Sequence, residues 1–157
     1  NSGRPSARLL RGNPLSADPD PIHLDALRAR PVMVMATLHP DGRPQLSLVR
    51  PWFHDDVAEV TLTDARVKTR NLRADPRTAL LATAEDGQRF VVAEGRAHLS
   101  AVSTEPGDQT GLALARLYQA LAGEHPDWDN YHHAMVRDQR LLATIEIEHT
   151  YTGGTHT

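Results

Sequence analysis

The chain has 157 residues, no cysteine and a formal charge of −3 at neutral pH. The lack of cysteine excludes disulfides and thiolate metal sites and fits cytoplasmic residence. The slight negative charge argues against a general nucleic-acid binder, and no apolar run approaches the roughly 18 residues that a membrane-spanning helix needs.

The length suits one domain with one core, and with aromatics at only 4% that core must come from Val, Leu, Ala and Met. Some apolar surface is expected against a partner subunit. Residues 1–20 are rich in Pro, Ser, Gly and Arg without periodicity, and predict a flexible N-terminal arm whose NSG start is a processed end or cloning remnant. Residues 21–157 are then a single domain.

Asp20 can cap a helix that has Pro21 at its first position and Pro31 as its stop, with Leu24 and Leu27 facing inward. VMVMATL (Val32–Leu38) is apolar on both faces and predicts a covered strand. Asp41-Gly42 turns the chain. Gln45–Arg50 alternates, with Leu46 and Leu48 on one face and Gln45, Ser47 and Val49 on the other. A turn at His54–Asp56 leads to Val57–Thr63, which places Ala58, Val60 and Leu62 opposite Glu59, Thr61 and Thr63.

A short helix is expected over Ala65–Asp75, capped by Asp64 and ended by Pro76. Strands follow at Thr78–Ala84 and from Arg89 through Val102, with Gly95 as a bulge in the second. QTGLALARLYQALAG reads as an amphipathic helix through Leu114, Leu117, Tyr118 and Leu121, and DWDNYHHAMVRD as a shorter one. LLATIEIEHTY closes the chain as a strand with Leu141, Ala143, Ile145 and Ile147 inward. Six strands joined largely by hairpins, with peripheral helices, predict a mainly β protein built on a closed antiparallel barrel.

The helix over ARVKTRNLRADPR carries Arg66, Arg70 and Arg73 as one stripe. Leu72 is its natural core-facing residue, so Lys68, four residues earlier, points toward the body of the protein. An ammonium there needs an anion. A phosphate fits, since the free N–H groups and dipole of the helix start add to the field of Arg66 and Lys68. The polar strand faces carrying Gln45, Ser47, Thr61 and Thr63 adjoin this helix. A solvated basic face with local ion pairs is an equal alternative, and Arg73 and Arg77 belong to it, pairing with Asp75 or facing water. The nine histidines lack the spacing of a zinc helix, and no metal site is expected. No hydrolase elbow, dinucleotide fingerprint or P-loop is present.

The succession of VMVMATLHPDGRPQLSLV, TLTDARVKTRNLRADPRTALLA and RFVVAEGRAHL resembles the flavin and deazaflavin oxidoreductases, the pyridoxamine 5'-phosphate oxidase-like proteins. LYQALAGEHPDWDNYHHAMVRDQRLL is similar to mycobacterial members that bind coenzyme F420. The resemblance implies a six-stranded split β-barrel of the FMN-binding type, working as a homodimer with the cofactor at the subunit interface. It implies that Arg66, Lys68, Arg70 and Asn71 hold the phosphate, and that Gln45, Ser47, Thr61 and Leu62 line the ring and ribityl chain. Gln88, Arg89 and Phe90 would come from the second subunit. Reduced F420 would pass a hydride to an electron-poor small molecule, with no essential side-chain nucleophile and the proton taken from solvent. FMN-dependent chemistry on the same barrel, or cofactor binding without turnover, are the alternatives. Phe90 stands where close relatives carry Tyr. The ending HTYTGGTHT lacks the segment with which pyridoxamine-phosphate oxidases read their substrate, so that activity is not expected.

Overall fold

A computed structural model describes residues 19–154. The expected arm therefore lies outside the described residues, apart from Pro19 and Asp20. Asp20 caps the first helix, α1 (Pro21–Arg28), by accepting a hydrogen bond from the Ile22 amide, and Leu24 and Leu27 are its buried residues.

The strands are β1 (Met33–Leu38), β2 (Pro44–Val49), β3 (Trp52–His54), β4 (Val57–Thr63), β5 (Arg77–Thr83), β6 (Arg89–Leu99) and β7 (Arg140–Gly154). Helix α2 (Val67–Ala74) joins β4 to β5, and α3 (Gln109–Ala122) and α4 (Trp128–Arg137) lie between β6 and β7. Among the described residues the strands form one seven-stranded sheet in the order β2-β1-β5-β6-β7-β4-β3. Every pairing in it is antiparallel.

Two expectations need correction. The sheet has seven strands, not six, and it is not closed. The extra strand is β3. Pro51 interrupts the chain after β2, and Asp55, at φ 53, and Asp56 form the turn that folds Trp52–His54 back onto β4. His54 is thus a strand residue rather than part of the turn.

The sheet fails to close because β3 is short. It pairs only with Val57, Ala58 and Glu59. The second half of β4, Val60–Thr63, pairs with β7 on one side and has no strand on the other. At the opposite end of the order, β2 pairs only with β1. Yet β2 and β3 are separated in sequence by Arg50 and Pro51 alone. Three Cα steps span at most about 11 Å, so the sheet must curl until its two edges approach at that corner. The gap between β2 and the free half of β4 is the split.

The curl encloses one core. Met33, Met35, Val60, Leu62, Leu80, Leu141, Ala143 and Ile145 are among its best-buried members, with Leu27 from α1 and Leu72 from α2. A smaller cluster lies outside the sheet, where Leu114, Leu117 and Tyr131 of α3 and α4 cover Leu142 of β7. Leu121, expected in the buried stripe of α3, is exposed.

The register of β1 decides how β2 faces. Met33, Met35 and Thr37 are buried and stand opposite Val49, Ser47 and Gln45. Paired residues on neighbouring strands share a face. Gln45 and Ser47 therefore point inward, while Leu46 and Leu48 are 63% and 70% exposed.

Gly95 marks the expected bulge, at a register shift between β6 and β7. A Cβ there would run into the Glu146 carbonyl oxygen, a backbone atom held in the sheet. Gly95→Ala should therefore lower the urea midpoint of unfolding, at a cost of about 1–3 kcal/mol. An unchanged midpoint would mean that β7 can move aside.

Candidate functional site

Helix α2 is held to the sheet by its buried side. Leu72 is 2% exposed, and the buried Thr69 donates its hydroxyl to the Thr63 carbonyl at 2.7 Å. The buried Asn71 donates through Nδ2 to Thr37 Oγ1 at 3.1 Å. With these residues inward, Arg66, Arg70 and Arg73 face out, and Lys68 stands at the boundary, half-buried. The predicted facing of the helix is correct, but its start is not. Arg66 is the N-cap and makes no side-chain capping bond. Asp64 does not cap. Its carboxylate instead pairs with Arg73 at 2.5 Å, and its amide donates to the Gln139 carbonyl. Arg77 pairs with Asp75, whose carboxyl is held at about 2 by hydrogen bonds from the Arg77 side chain and backbone.

The first turn of α2 opens onto a cavity of about 380 Å³ in the split. Gln45 and Ser47 reach it from β2, and Thr61, Leu62 and Thr63 from the free half of β4. Arg66, Val67 and Lys68 line it from the helix, and Arg140 from the start of β7. Among the described residues no carboxylate lines this cavity. Among the described residues Lys68 Nζ finds only a long contact to Ser47 Oγ, at 3.4 Å. Burial pushes the Lys68 ammonium below its ordinary 10.5, and the charges of Arg66 and Arg140 push it further down. Arg140 Nε is buried without a hydrogen-bond partner among the described residues.

Such a site favours an anion. Buried N–H groups are almost always paired. Like charges brought together in a partly desolvated cleft repel. An anion whose oxygens accept from Arg66, Lys68 and Arg140 would relieve both strains. The residues present therefore fit a phosphate-bearing group, with the hydroxyls of Ser47, Thr61 and Thr63 and the amide of Gln45 available to its neutral part.

The residues expected in the site divide into three groups. Gln45, Ser47, Thr61, Leu62, Arg66 and Lys68 come together. Asn71 does not line the cavity. It stands behind it, since its amide bonds Thr37, whose hydroxyl donates to Gln45 Oε1 at 2.9 Å. Asn71 thus orients Gln45 rather than touching a ligand. Arg70 is exposed outside the lining. Arg89 and Phe90 line a different cavity, beside α1. There the Phe90 ring lies against Gly153, where a Cβ would meet it at 2.5 Å. Gln88 is exposed at the β5–β6 turn. Within the chain these three residues do not line the split.

Arg140 is the site residue that sequence reasoning misses. The apolar pattern starts the last strand at Leu141, and Arg140 reads as one more surface arginine. The available signal is the inward alternation of Leu141, Ala143 and Ile145. Continued backward, it sets Arg140 on the face opposite the core, where it pairs with Thr63.

The fold is that of the pyridoxamine 5'-phosphate oxidase-like split barrels. The chain belongs to the pyridoxamine 5'-phosphate oxidase family, whose model matches residues 20–152. Among solved structures, an F420 reductase is 24% identical, with a TM-score of 0.59 over 81% of this chain and 94% of that one. The conserved hypothetical protein Rv2991 from Mycobacterium tuberculosis is 21% identical, with a TM-score of 0.65 over 91% of this chain and 93% of that one. A 5-nitroimidazole antibiotic resistance protein from Bacteroides thetaiotaomicron shares the fold at 8% identity, with a TM-score of 0.64 over 85% of this chain and 82% of that one. Among the described residues no helix is long and apolar enough to cross a membrane.

The lowered Lys68 value sets a pH test. An anion favours the charged lysine, so anion affinity must fall as Lys68 loses its proton. Inorganic phosphate binding, followed by phosphorus NMR, should begin to weaken at a pH below 10.5. Lys68→Met should remove that step while Arg66 and Arg140 keep their charge. A step that persists in the variant would assign the titration to another group.

Proposed function

We propose that the protein is a coenzyme F420-dependent reductase that passes a hydride from the reduced deazaflavin to an electron-poor small organic molecule. The observation that carries this reading is the cationic cavity in the split, with no carboxylate in its lining and a buried, unpaired Arg140 Nε. Likeness in fold to an F420 reductase supports it.

In this reading Arg66, Lys68 and Arg140 hold the cofactor phosphate at the first turn of α2. Gln45, fixed through Thr37 and Asn71, and the hydroxyls of Ser47, Thr61 and Thr63 hold the ribityl chain and the polar edge of the ring. The bound cofactor supplies the hydride. The protein supplies position and a cleft from which water is partly excluded. Among the described residues none of the cavity's side chains is a carboxylic acid or a histidine, and the reading takes the proton from solvent.

The reading includes a homodimer. Leu46 and Leu48 form the outward face of an edge strand. A face of this kind asks for cover. A second copy would supply it and would bring the partner's Gln88, Arg89 and Phe90 to the open side of the split.

FMN carries the same ribityl phosphate, and titration separates the two cofactors. The purified protein should bind F420, read by ligand fluorescence, more tightly than FMN. Tight FMN binding without F420 binding would overturn the choice of cofactor. Lys68→Ala should weaken F420 by about 1–3 kcal/mol, as for a lost hydrogen bond to a charged group. Arg73→Ala breaks only the exposed pair with Asp64, and should leave affinity unchanged and cost about 0.5 kcal/mol of stability. Equal effects of the two on affinity would mean that Lys68 does not face the ligand.

A further inference from the structure

A separate cavity of about 680 Å³ lies between α3 and α4. Leu112, Arg116 and Gln119 line it from one face of α3, and Trp128 and His132, one turn apart, line it from α4. None of these residues lines the split. None belongs to the outward face of β2 or to the Gln88–Phe90 stretch.

Both aromatic side chains are held in place. Trp128 Nε1 donates to Glu124 Oε2 at 3.0 Å, and the indole meets the rings of Tyr118 and Tyr131 edge-on, at 83° and 81°. A ring fixed in this way loses little freedom when a flat molecule lies against it. His132 packs against α3 at Gly111, where an added Cβ would stand 3.4 Å from Nδ1. That nitrogen is buried without a hydrogen-bond partner among the described residues. A hydrogen on it would be an orphaned donor, so Nε2 carries the hydrogen and is the N–H the ring can offer to the cavity.

The charge in the cavity has one sign. Arg116 is exposed and makes no ion pair among the described residues. Among the described residues no carboxylate is in the lining. Glu124 is engaged by Trp128 and by Gln119, whose Nε2 donates to it at 2.7 Å. Leu112, 55% exposed, adds apolar surface one turn from Arg116. The volume is that of a small-ligand pocket.

We propose that this cavity is a second ligand site, and that it takes a flat aromatic acid. The ring lies against Trp128 and Leu112, and the carboxylate accepts from the Arg116 guanidinium and from His132 Nε2. An arginine fork matches a carboxylate in a plane. The site goes beyond the cofactor reading and does not rest on it.

The test is titration of the full chain with 2-naphthoate and its uncharged amide, 2-naphthamide, followed by calorimetry and by the indole N–H signals in nitrogen-15 NMR. The chain has two tryptophans, and Trp52→Phe assigns their signals. Naphthoate should bind about tenfold more tightly than the amide and shift the Trp128 signal. Arg116→Gln should bring naphthoate to the level of the amide, and Leu112→Glu, which sets a carboxylate in the cavity, should abolish naphthoate binding. Both positions are exposed, so both variants should fold, which their urea midpoints check. Inorganic phosphate should not displace naphthoate. Equal binding of the two probes, no binding of either, a silent Trp128 signal or an unchanged affinity in Arg116→Gln would overturn the proposal. So would displacement by phosphate, which would place the acid in the split. Failure of the cofactor reading looks different, because naphthoate then binds as expected while neither F420 nor FMN does.

Discussion

The structure turns on a two-residue link. Arg50 and Pro51 are all that separate the strands at opposite ends of a seven-stranded order. A link that short compels the sheet to curl. Pro51 also offers no N–H for a ladder, so the chain cannot run on from β2 into a longer strand. The short β3 that follows covers only half of β4. Curl and shortfall together leave the sheet nearly closed at one corner and open along Val60–Thr63. That opening is where Lys68, Arg66 and Arg140 collect.

A cleft lined by cations is a cost to the fold unless something offsets it. The inward pull comes from Leu72, Thr69 and Asn71, which hold α2 against the sheet and carry Lys68 into the split whether or not an anion is there. Arg140 is placed by a separate constraint, the pairing of β7 with β4 opposite Thr63. The two elements are ordered independently of any ligand. The site is therefore preorganised, and an anion entering it meets donors already in place.

Much of this was legible in the sequence, and the reasons are local. Alternation set the inward faces of β4 and β7, Asp20-Pro21 marked the first helix, and one leucine in a short basic helix was enough to orient Lys68. What was not legible depends on register and on long-range pairing. Asn71 looks like a ligand contact when read beside Lys68. Only the proximity of Thr37, 34 positions away in sequence, turns it into a support for Gln45. Asp64 has the chemistry of a helix cap but finds a stronger partner in Arg73. Residues 52–54 carry too little pattern to announce a strand, and their pairing is created by the turn at Asp55-Asp56.

The same register explains why the second strand looks inside out. In most half-buried strands the leucines face the core. Here β1 supplies Met33, Met35 and Thr37 to the interior. Pairing then forces Gln45 and Ser47 to the same side and Leu46 and Leu48 outward. A polar inner face would be a defect in a closed barrel. At the edge of an open one it is the wall of the cleft, with hydroxyl and amide groups facing the proposed cofactor. The outward leucines are the complement of that choice, because a strand of period two cannot present polar groups inward and outward while keeping its leucines. On this view the proposed dimer and the proposed cofactor site are a single design. The inversion that makes β2 a ligand-binding strand also leaves it an apolar edge that needs a second copy to cover it.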